Sequence, residues 1–98
     1  MRIIAKSTLV KKGKEYGPRA QKQLNVWYEE VKEAEWRNSR DILRRFNEAK
    51  IINNEIVVFK ICRNDYRLVV KVRYQWQEVY IKFFGTHAEY DRLDLKDL

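Results

Sequence analysis

The chain has few cysteines, glycines and histidines, the residues from which many metal, phosphate and catalytic sites are built. Each shortage excludes a class of chemistry. Cys62 is the single cysteine, which excludes an internal disulfide and any zinc site built from cysteines. The chain has only three glycines, at positions 13, 17 and 85, and they do not form a Gly-rich loop of the kind that cradles phosphates. Because His87 is the single histidine and the carboxylates are scattered, neither a metal site nor a bound cofactor is predicted.

Long apolar runs are also missing, and this bears on where the protein acts. No stretch approaches the length that spans a membrane, and the N-terminus lacks the apolar core of a signal peptide. We therefore expect a cytoplasmic protein without membrane contact. The 98 residues, 45% of them apolar and 36% charged, predict one folded domain over residues 1–98.

Basic residues, in contrast, are abundant. The formal net charge is +7 at pH 7, which indicates an anionic partner: a nucleic acid, an acidic surface or an acidic protein. Residues 88–98 differ from the rest, with four acidic and two basic residues. An acidic tail of this kind either balances the charge of the basic part or masks it.

The first half of the chain predicts one strand and three helices. These are a strand over Met1–Lys6 at a sheet edge, and helices from Ser7 or Thr8 to about Glu15, from Pro18 to Trp36, and from Asn38 or Ser39 to about Glu48. The middle helix has the clearest pattern, because its apolar residues recur at helical spacing and form one stripe. This stripe is predicted to cover an apolar sheet face.

The second half predicts three strands joined as two hairpins. Runs rich in Val, Ile, Tyr and Phe are separated by short polar breaks: Glu55–Cys62, Tyr66–Tyr74 and Glu78–Phe84. With two-residue loops at Asn64-Asp65 and Gln75-Trp76, the register places most apolar residues on one face. They are Val57, Phe59, Ile61, Leu68, Val70, Val72, Val79, Ile81 and Phe83. The predicted fold class is α+β, with N-terminal helices packed on one face of a twisted antiparallel sheet.

The opposite face of this predicted sheet is basic and aromatic. It carries Lys60, Arg67, Lys71, Arg73, Tyr80, Lys82 and Phe84, with Val58, Val69 and Cys62 between them. Cations with rings between them suit a phosphate backbone with unstacked bases. The residues predicted to bind RNA are Lys60, Lys71, Arg73 and Tyr80, together with Trp76 at a hairpin tip. The alternative is a solvated face whose lysines and arginines give solubility, with an incidental Trp76.

Proton transfer near neutral pH falls to His87, which follows the last predicted strand. In the predicted register Arg67 pairs with Phe84, so Arg67, Lys82, His87 and Tyr90 gather at one end of the basic face. A cation beside a phosphate, with an imidazole that moves a proton, suffices for RNA cleavage by 2′-OH attack without a metal. The alternative is that His87 caps a helix and has no chemical role.

Several runs resemble one known family. They are Met1–Leu9, Trp27–Val31, Ala34–Trp36, Val57–Phe59, Tyr66–Val70 and, most specifically, Gly85–Asp91 (Gly-Thr-His-Ala-Glu-Tyr-Asp). Together they resemble the HigB toxins of bacterial type II toxin–antitoxin systems. The resemblance implies a RelE-like fold and an endonuclease that cleaves mRNA on the translating ribosome. It also implies a HigA-type helix-turn-helix antitoxin, which forms a hetero-oligomer with the toxin and binds the operator DNA.

The resemblance also implies roles for individual residues. Arg67 would hold the scissile or adjacent phosphate, His87 and Tyr90 would lie at the cleavage centre, and Lys82 and Lys71 would give electrostatic support. Family members often have Asn at the position of Lys60 and a basic residue at that of Trp76. Two other classes stay open: a non-catalytic RNA- or ribosome-binding module, and a toxin that acts on a protein target, as ParE-type relatives act on gyrase.

Overall fold

The sheet has five strands, and the helices come mainly before it in the chain. The computed structural model describes residues 1–98 apart from the side chain of Asp97. The elements are β1 (Arg2–Ile4), α1 (Lys6–Tyr16), α2 (Pro18–Glu33), α3 (Ser39–Arg45), β2 (Lys50–Ile51), β3 (Ile56–Ile61), β4 (Tyr66–Arg73), β5 (Glu78–Thr86) and α4 (His87–Asp91). Short 3-10 turns cover Tyr74–Trp76 and Leu95–Asp97. The predicted α+β class is confirmed.

The strands lie in the order β1-β5-β4-β3-β2. Neighbours from β2 to β5 are antiparallel, as predicted, whereas β1 pairs with β5 in parallel. The N-terminal run is therefore an edge strand, as the sequence predicts, and it makes the sheet mixed. Of the elements the structure describes, no helix is both long enough and apolar enough to pass through a membrane.

Helix α2 provides most of the apolar cover for the sheet. Ala20, Leu24, Trp27 and Val31 are buried along it, and the Trp27 ring meets the Phe59 ring edge-on at 5.4 Å. Full burial of a large apolar side chain contributes roughly 1.5–3 kcal/mol, so this stripe is a main stabilising contact. The helix begins at Pro18 because Gly17, with φ of 109°, turns the chain sharply after α1.

The turn between β3 and β4 differs from the prediction. Four residues, Cys62–Asp65, connect the strands, and Phe59 lies opposite Leu68, whereas a two-residue loop would place Ile61 there. Cys62 is buried in the main core rather than on the second face, and it adopts a left-handed conformation with φ of 54°. The register is shifted by two residues, and an even shift leaves every strand side chain of β3 on its predicted face.

A β-bulge in β5 overturns another part of the predicted register. Ile81 pairs with Val70 and Phe83 pairs with Val69, so Lys82 between them is an extra residue. One extra residue reverses the alternation of side chains beyond it. Phe84 is therefore buried in the main core and Phe83 lies on the second face, so the predicted faces of both were wrong. The predicted pairing of Arg67 with Phe84 was also wrong, because Arg67 lies opposite Gly85.

The centre of the second face is apolar and covered, whereas the sequence predicted an open basic surface. Ile56, Val58 and Val69 form a buried cluster there. The side chains packed on this second cluster are Ile52, Phe83, Tyr90, Leu93, Leu95 and Leu98. The C-terminal segment thus lies on the sheet, because its leucines find an apolar strip between the basic side chains. The predicted basic residues surround this strip.

Candidate active site and nucleic-acid interface

The predicted site residues separate along the β4–β5 hairpin. At the end where β5 runs into α4, here called the α4 end, lie Lys60, Arg67, His87 and Tyr90. At the other end, around the Tyr74–Trp76 turn and here called the turn end, lie Lys71, Arg73, Tyr80 and Trp76. Lys82 lies between the two groups at the bulge. The structure therefore has two candidate surfaces where the sequence predicted one continuous face.

His87 is the first residue of α4, and its backbone is anchored. Its N–H donates to the carbonyl of Asp65 at 3.2 Å, which ties the start of α4 to the turn between β3 and β4. The imidazole itself is 52% exposed, with Nε2 lying 3.4 Å from Oδ1 of Asp91 one turn along the helix. The imidazole is thus about half exposed and has a carboxylate neighbour on its own helix face.

The cap of α4 is Thr86, not His87. The Thr86 hydroxyl accepts a hydrogen bond from the Glu89 N–H at 3.1 Å, and the Glu89 carboxylate accepts one from the Thr86 N–H at 2.9 Å. This reciprocal capping box satisfies backbone donors at the start of the helix. The imidazole of His87 is therefore not needed to cap α4, and it remains accessible to a ligand.

Arg67 is buried beside this helix and bonded to its own chain. Arg67 is only 6% exposed, and its Nη1 donates to the carbonyls of Asn64 and Tyr66 at 3.0 and 3.1 Å. Nη2 donates to Oδ1 of Asn64 at 2.9 Å. The guanidinium thus braces the turn that carries the Asp65 carbonyl. Lys60, the cross-strand neighbour of Arg67, is the exposed cation of this pair.

The other two predicted catalytic residues are placed differently. Tyr90 lies one turn after His87, but its half-buried side chain packs on the second cluster. Lys82 is exposed at the bulge, toward the middle of the hairpin. The α4 end therefore carries His87, Lys60 and Arg67, with Lys60 and Arg67 paired across the strands and Arg67 opposite Gly85, two residues before His87. Tyr90 forms part of the support for α4.

At the turn end a carboxylate lies among the basic and aromatic residues. The Tyr80 hydroxyl donates to Oε1 of Glu78 at 2.9 Å, and this hydrogen bond is the main reason why the pKa of Tyr80 is raised. The Arg73 guanidinium lies 5.8 Å from the centre of the Tyr80 ring. Lys71 likewise has an acidic neighbour, Glu55, at 3.2 Å. These carboxylates offset part of the positive charge at this end.

Trp76 is the most exposed large apolar residue of this hairpin. Trp76 is 63% exposed and ends the 3-10 turn. Gln77, which follows it, adopts a left-handed conformation. An exposed indole beside a guanidinium offers a flat surface on which a base can stack. The turn end can therefore contact a single-stranded nucleic acid without holding it in one fixed geometry.

Some contacts at the α4 end escaped the sequence interpretation, although signals for them were present. The spacing of Thr86 and Glu89 is the capping-box pattern, and His87 and Asp91 lie four residues apart, on one helix face. The leucines at 93, 95 and 98 marked an apolar side of the acidic tail. Among the described side chains, no group of three or more His, Cys, Asp or Glu residues is arranged to hold a metal ion.

Comparison with known protein families places this architecture. A family model described as HigB_toxin, the RelE-like toxic component of a toxin–antitoxin system, matches residues 20–93 of the 98-residue chain. The match runs from α2 to the residues just after α4, and it includes every predicted site residue. No curated protein matches the chain.

Proposed function

The chain belongs to the HigB toxin family, the RelE-like toxic components of toxin–antitoxin systems, and we propose that it is an endoribonuclease that cleaves mRNA on the ribosome. Family membership makes it a toxin with an antitoxin as partner. The cleavage activity rests on one observation: the imidazole of the only histidine is 52% exposed at the α4 end, the end of the sheet that also carries exposed Lys60 and buried Arg67. The turn end supplies a second surface for RNA or ribosome.

The proposed reaction is attack of a ribose 2′-OH on the adjacent phosphate. A base removes the 2′-OH proton, the 2′ oxygen bonds to phosphorus, and the bond from phosphorus to the 5′ oxygen breaks. An acid protonates the leaving 5′ oxygen, which leaves a 2′,3′-cyclic phosphate and a 5′-OH. These steps need proton transfer and stabilisation of negative charge, both of which side chains supply without a metal.

The side chains at the α4 end, together with Lys82 at the bulge, divide these tasks. His87 supplies the group that accepts or donates the proton, and Asp91 is its carboxylate neighbour one turn along the helix. Lys60 and Lys82, both exposed, contact phosphate groups. The buried guanidinium of Arg67 adds positive charge from behind, because a guanidinium stays protonated at neutral pH. It also fixes the turn against which His87 is bonded.

The partners follow from the family and from this chemistry. The antitoxin is proposed to be a HigA-type helix-turn-helix protein, which neutralises the toxin and carries the complex to operator DNA. The substrate is mRNA engaged by ribosomes, which places the activity in the cytoplasm. Stacking of bases or ribosomal RNA on Trp76, beside Arg73, is proposed to contribute to binding.

Mapping of mRNA ends by primer extension, in cells that express the protein, tests this proposal. We expect new 5′ ends at codon-phased positions with the wild type and none with His87→Gln. Lys60→Ala should weaken cleavage, whereas Lys11→Ala, which removes the same charge from the exposed side of α1, should not. Intact mRNA with stalled translation would instead indicate a binding module. Intact mRNA with DNA damage would indicate a ParE-like protein target.

A further inference from the structure

One hydrogen bond connects the first helix of the chain to the helix that carries His87. The hydroxyl of Tyr16, the last residue of α1, donates to Oε1 of Glu89 at 2.7 Å, across 73 positions of sequence. The same carboxylate oxygen accepts the Thr86 N–H at 2.9 Å. Glu89 is therefore shared between the cap of α4 and a tyrosine from another layer of the molecule.

The ring of Tyr16 is held so that its hydroxyl has a fixed position. It packs edge-on against Tyr66 at 5.5 Å and Phe84 at 5.4 Å between ring centres. Phe84 is core, and Tyr66 is stacked on it at 5.4 Å. Such aromatic pairs contribute roughly 0.5–1.5 kcal/mol beyond the area they bury. The hydrogen-bond donor that meets Glu89 thus comes from a rigid part of the core.

At neutral pH the protonation states of Tyr16 and Glu89 both favour the hydrogen bond between them. The pKa of Glu89 is lowered, chiefly by the hydrogen bond from the Thr86 N–H and then by that from Tyr16, so the carboxylate is ionised. The pKa of Tyr16 is raised to about 12 by burial and by the contact with Glu89, so the hydroxyl keeps its proton. A donor that stays protonated faces an acceptor that stays charged, which is the stronger kind of hydrogen bond.

Helix α4 needs such support because it has only five residues. Isolated helices shorter than about 12 residues are marginal in water. Glu89 also lies close to the strand, in space that a side chain at position 85 would need, since a Cβ on Gly85 would lie 3.1 Å from Oε1 of Glu89 and 2.7 Å from the Phe83 ring. The carboxylate therefore lies between Thr86, Gly85 and Tyr16, and the glycine leaves room for it.

We propose that Tyr16 and Glu89 are positioning residues, which fix the orientation of α4 and therefore the position of the His87 imidazole at the α4 end. The catalytic meaning of this role rests on the proposed function. Neither residue is proposed to exchange a proton with RNA, because each is engaged by the other. Tyr16 lies outside residues 20–93, the range that the family model matches, so this support comes from a part of the chain beyond the match.

A pair of matched substitutions tests the proposal. Tyr16→Phe removes only the hydroxyl that Glu89 accepts and keeps the ring. Tyr66→Phe removes a hydroxyl from the neighbouring ring, and that hydroxyl makes no hydrogen bond to another described side chain. We expect Tyr16→Phe to slow single-turnover cleavage by about 10- to 100-fold with ribosome affinity unchanged, because a misplaced catalytic group loses rate and not binding. Tyr66→Phe should cleave like the wild type.

Substitutions of Glu89 provide a second test of the proposal. Glu89→Gln keeps an oxygen that can accept both hydrogen bonds, whereas Glu89→Ala removes it. The rate should therefore fall least in Glu89→Gln and most in Glu89→Ala, with circular dichroism confirming that each variant is folded. Equal rates for Gln and Ala in folded proteins would overturn the role of the Glu89 oxygen.

The imidazole can be observed without any cleavage, because the protein has one histidine and so one imidazole C2–H resonance. Tyr16→Phe should shift this resonance and speed amide exchange in α4, and Tyr66→Phe should change neither. A wild-type cleavage rate in Tyr16→Phe would overturn the proposal, whether the resonance is shifted or unchanged. A wild-type protein that does not cleave would overturn the proposed function instead, while the resonance would still decide whether Tyr16 orients His87.

Discussion

The two ends of the β4–β5 hairpin are built in different ways. At the α4 end, hydrogen bonds hold the backbone of His87 and the Arg67 guanidinium to the Cys62–Asp65 turn, and the Glu89 carboxylate to Tyr16 of α1. At the turn end, Trp76 is exposed on a turn of three residues, and the Arg73 guanidinium lies 5.8 Å from the centre of the Tyr80 ring. One end has fixed geometry, and the other has accessible surface.

This difference matches two kinds of task. Proton transfer depends on a donor and an acceptor within hydrogen-bond reach, so a catalytic group gains from a rigid support. Stacking and phosphate contact tolerate small displacements, so a binding surface can do without one. Substitutions at the α4 end should therefore affect stability and rate, whereas those at the turn end should affect binding.

The largest stability effect is expected where the bulge directs β5 into the core beneath the α4 end. Phe84→Ala should destabilise the protein by about 3–5 kcal/mol, because it removes a buried ring and leaves a cavity. Phe83→Ala, on the half-buried second cluster, should cost roughly 1–3 kcal/mol. Urea unfolding of both variants measures this. A greater loss for Phe83→Ala would mean that the bulge is misplaced and the predicted alternation was right.

A smaller effect distinguishes two arginines of one strand, at opposite ends of the hairpin. Arg67→Ala should cost about 1.5–3 kcal/mol, because the carbonyls of Asn64 and Tyr66 lose a charged donor. Arg73→Ala, which is exposed, should change the free energy of unfolding by no more than about 0.5 kcal/mol.

Thermal or urea unfolding at neutral pH compares the two arginine variants directly. Equal losses for both would remove the distinction between a braced end and an open one. An Arg67→Ala variant as stable as the wild type, but without toxicity, would show instead that Arg67 contacts phosphate and does not brace the turn.

The smallest effect is a pH dependence at the contact of Tyr16 with Glu89. The pKa of Tyr16 is raised from 10.0 to about 12 in the folded protein, so the folded state keeps a proton that the unfolded state loses. This contribution is complete below pH 10 and is lost as the pH rises toward 12. The stability advantage of the wild type over Tyr16→Phe should thus shrink across that window and stay constant from pH 6 to 8. A constant difference up to pH 12 would contradict the burial and bonding of the hydroxyl.

Much of the framework was readable from sequence, for physical reasons that particular residues illustrate. The stripe of α2 and the alternation of β3 and β4 record burial directly, because one face of each must be apolar. An error of two residues in the turn at Cys62–Asp65 left the faces correct, since side chains alternate with a period of two. The α+β class followed from these patterns.

The features that the sequence could not predict depend on single residues and on contacts between distant positions. The sequence gives no sign of the bulge, because Phe83 and Phe84 are adjacent and either register buries one phenylalanine in the main core. Nothing local distinguishes a buried Arg67 from an exposed one, since its partners are carbonyls of a turn whose length was mistaken. The contact of Tyr16 with Glu89 joins distant positions, and a single sequence carries no record of such a pair.

The most direct test of the division between the two ends is single-turnover cleavage of mRNA on programmed ribosomes, with binding to the same ribosomes measured separately. His87→Gln should cut about 10²–10⁴-fold more slowly and bind like the wild type. Trp76→Ala should bind more weakly by about 1–3 kcal/mol and, at saturation, cut at the wild-type rate. A folded His87→Gln variant that cuts at the wild-type rate would contradict the assignment of proton transfer to His87, and Lys82 or Tyr90 would then be the next candidate.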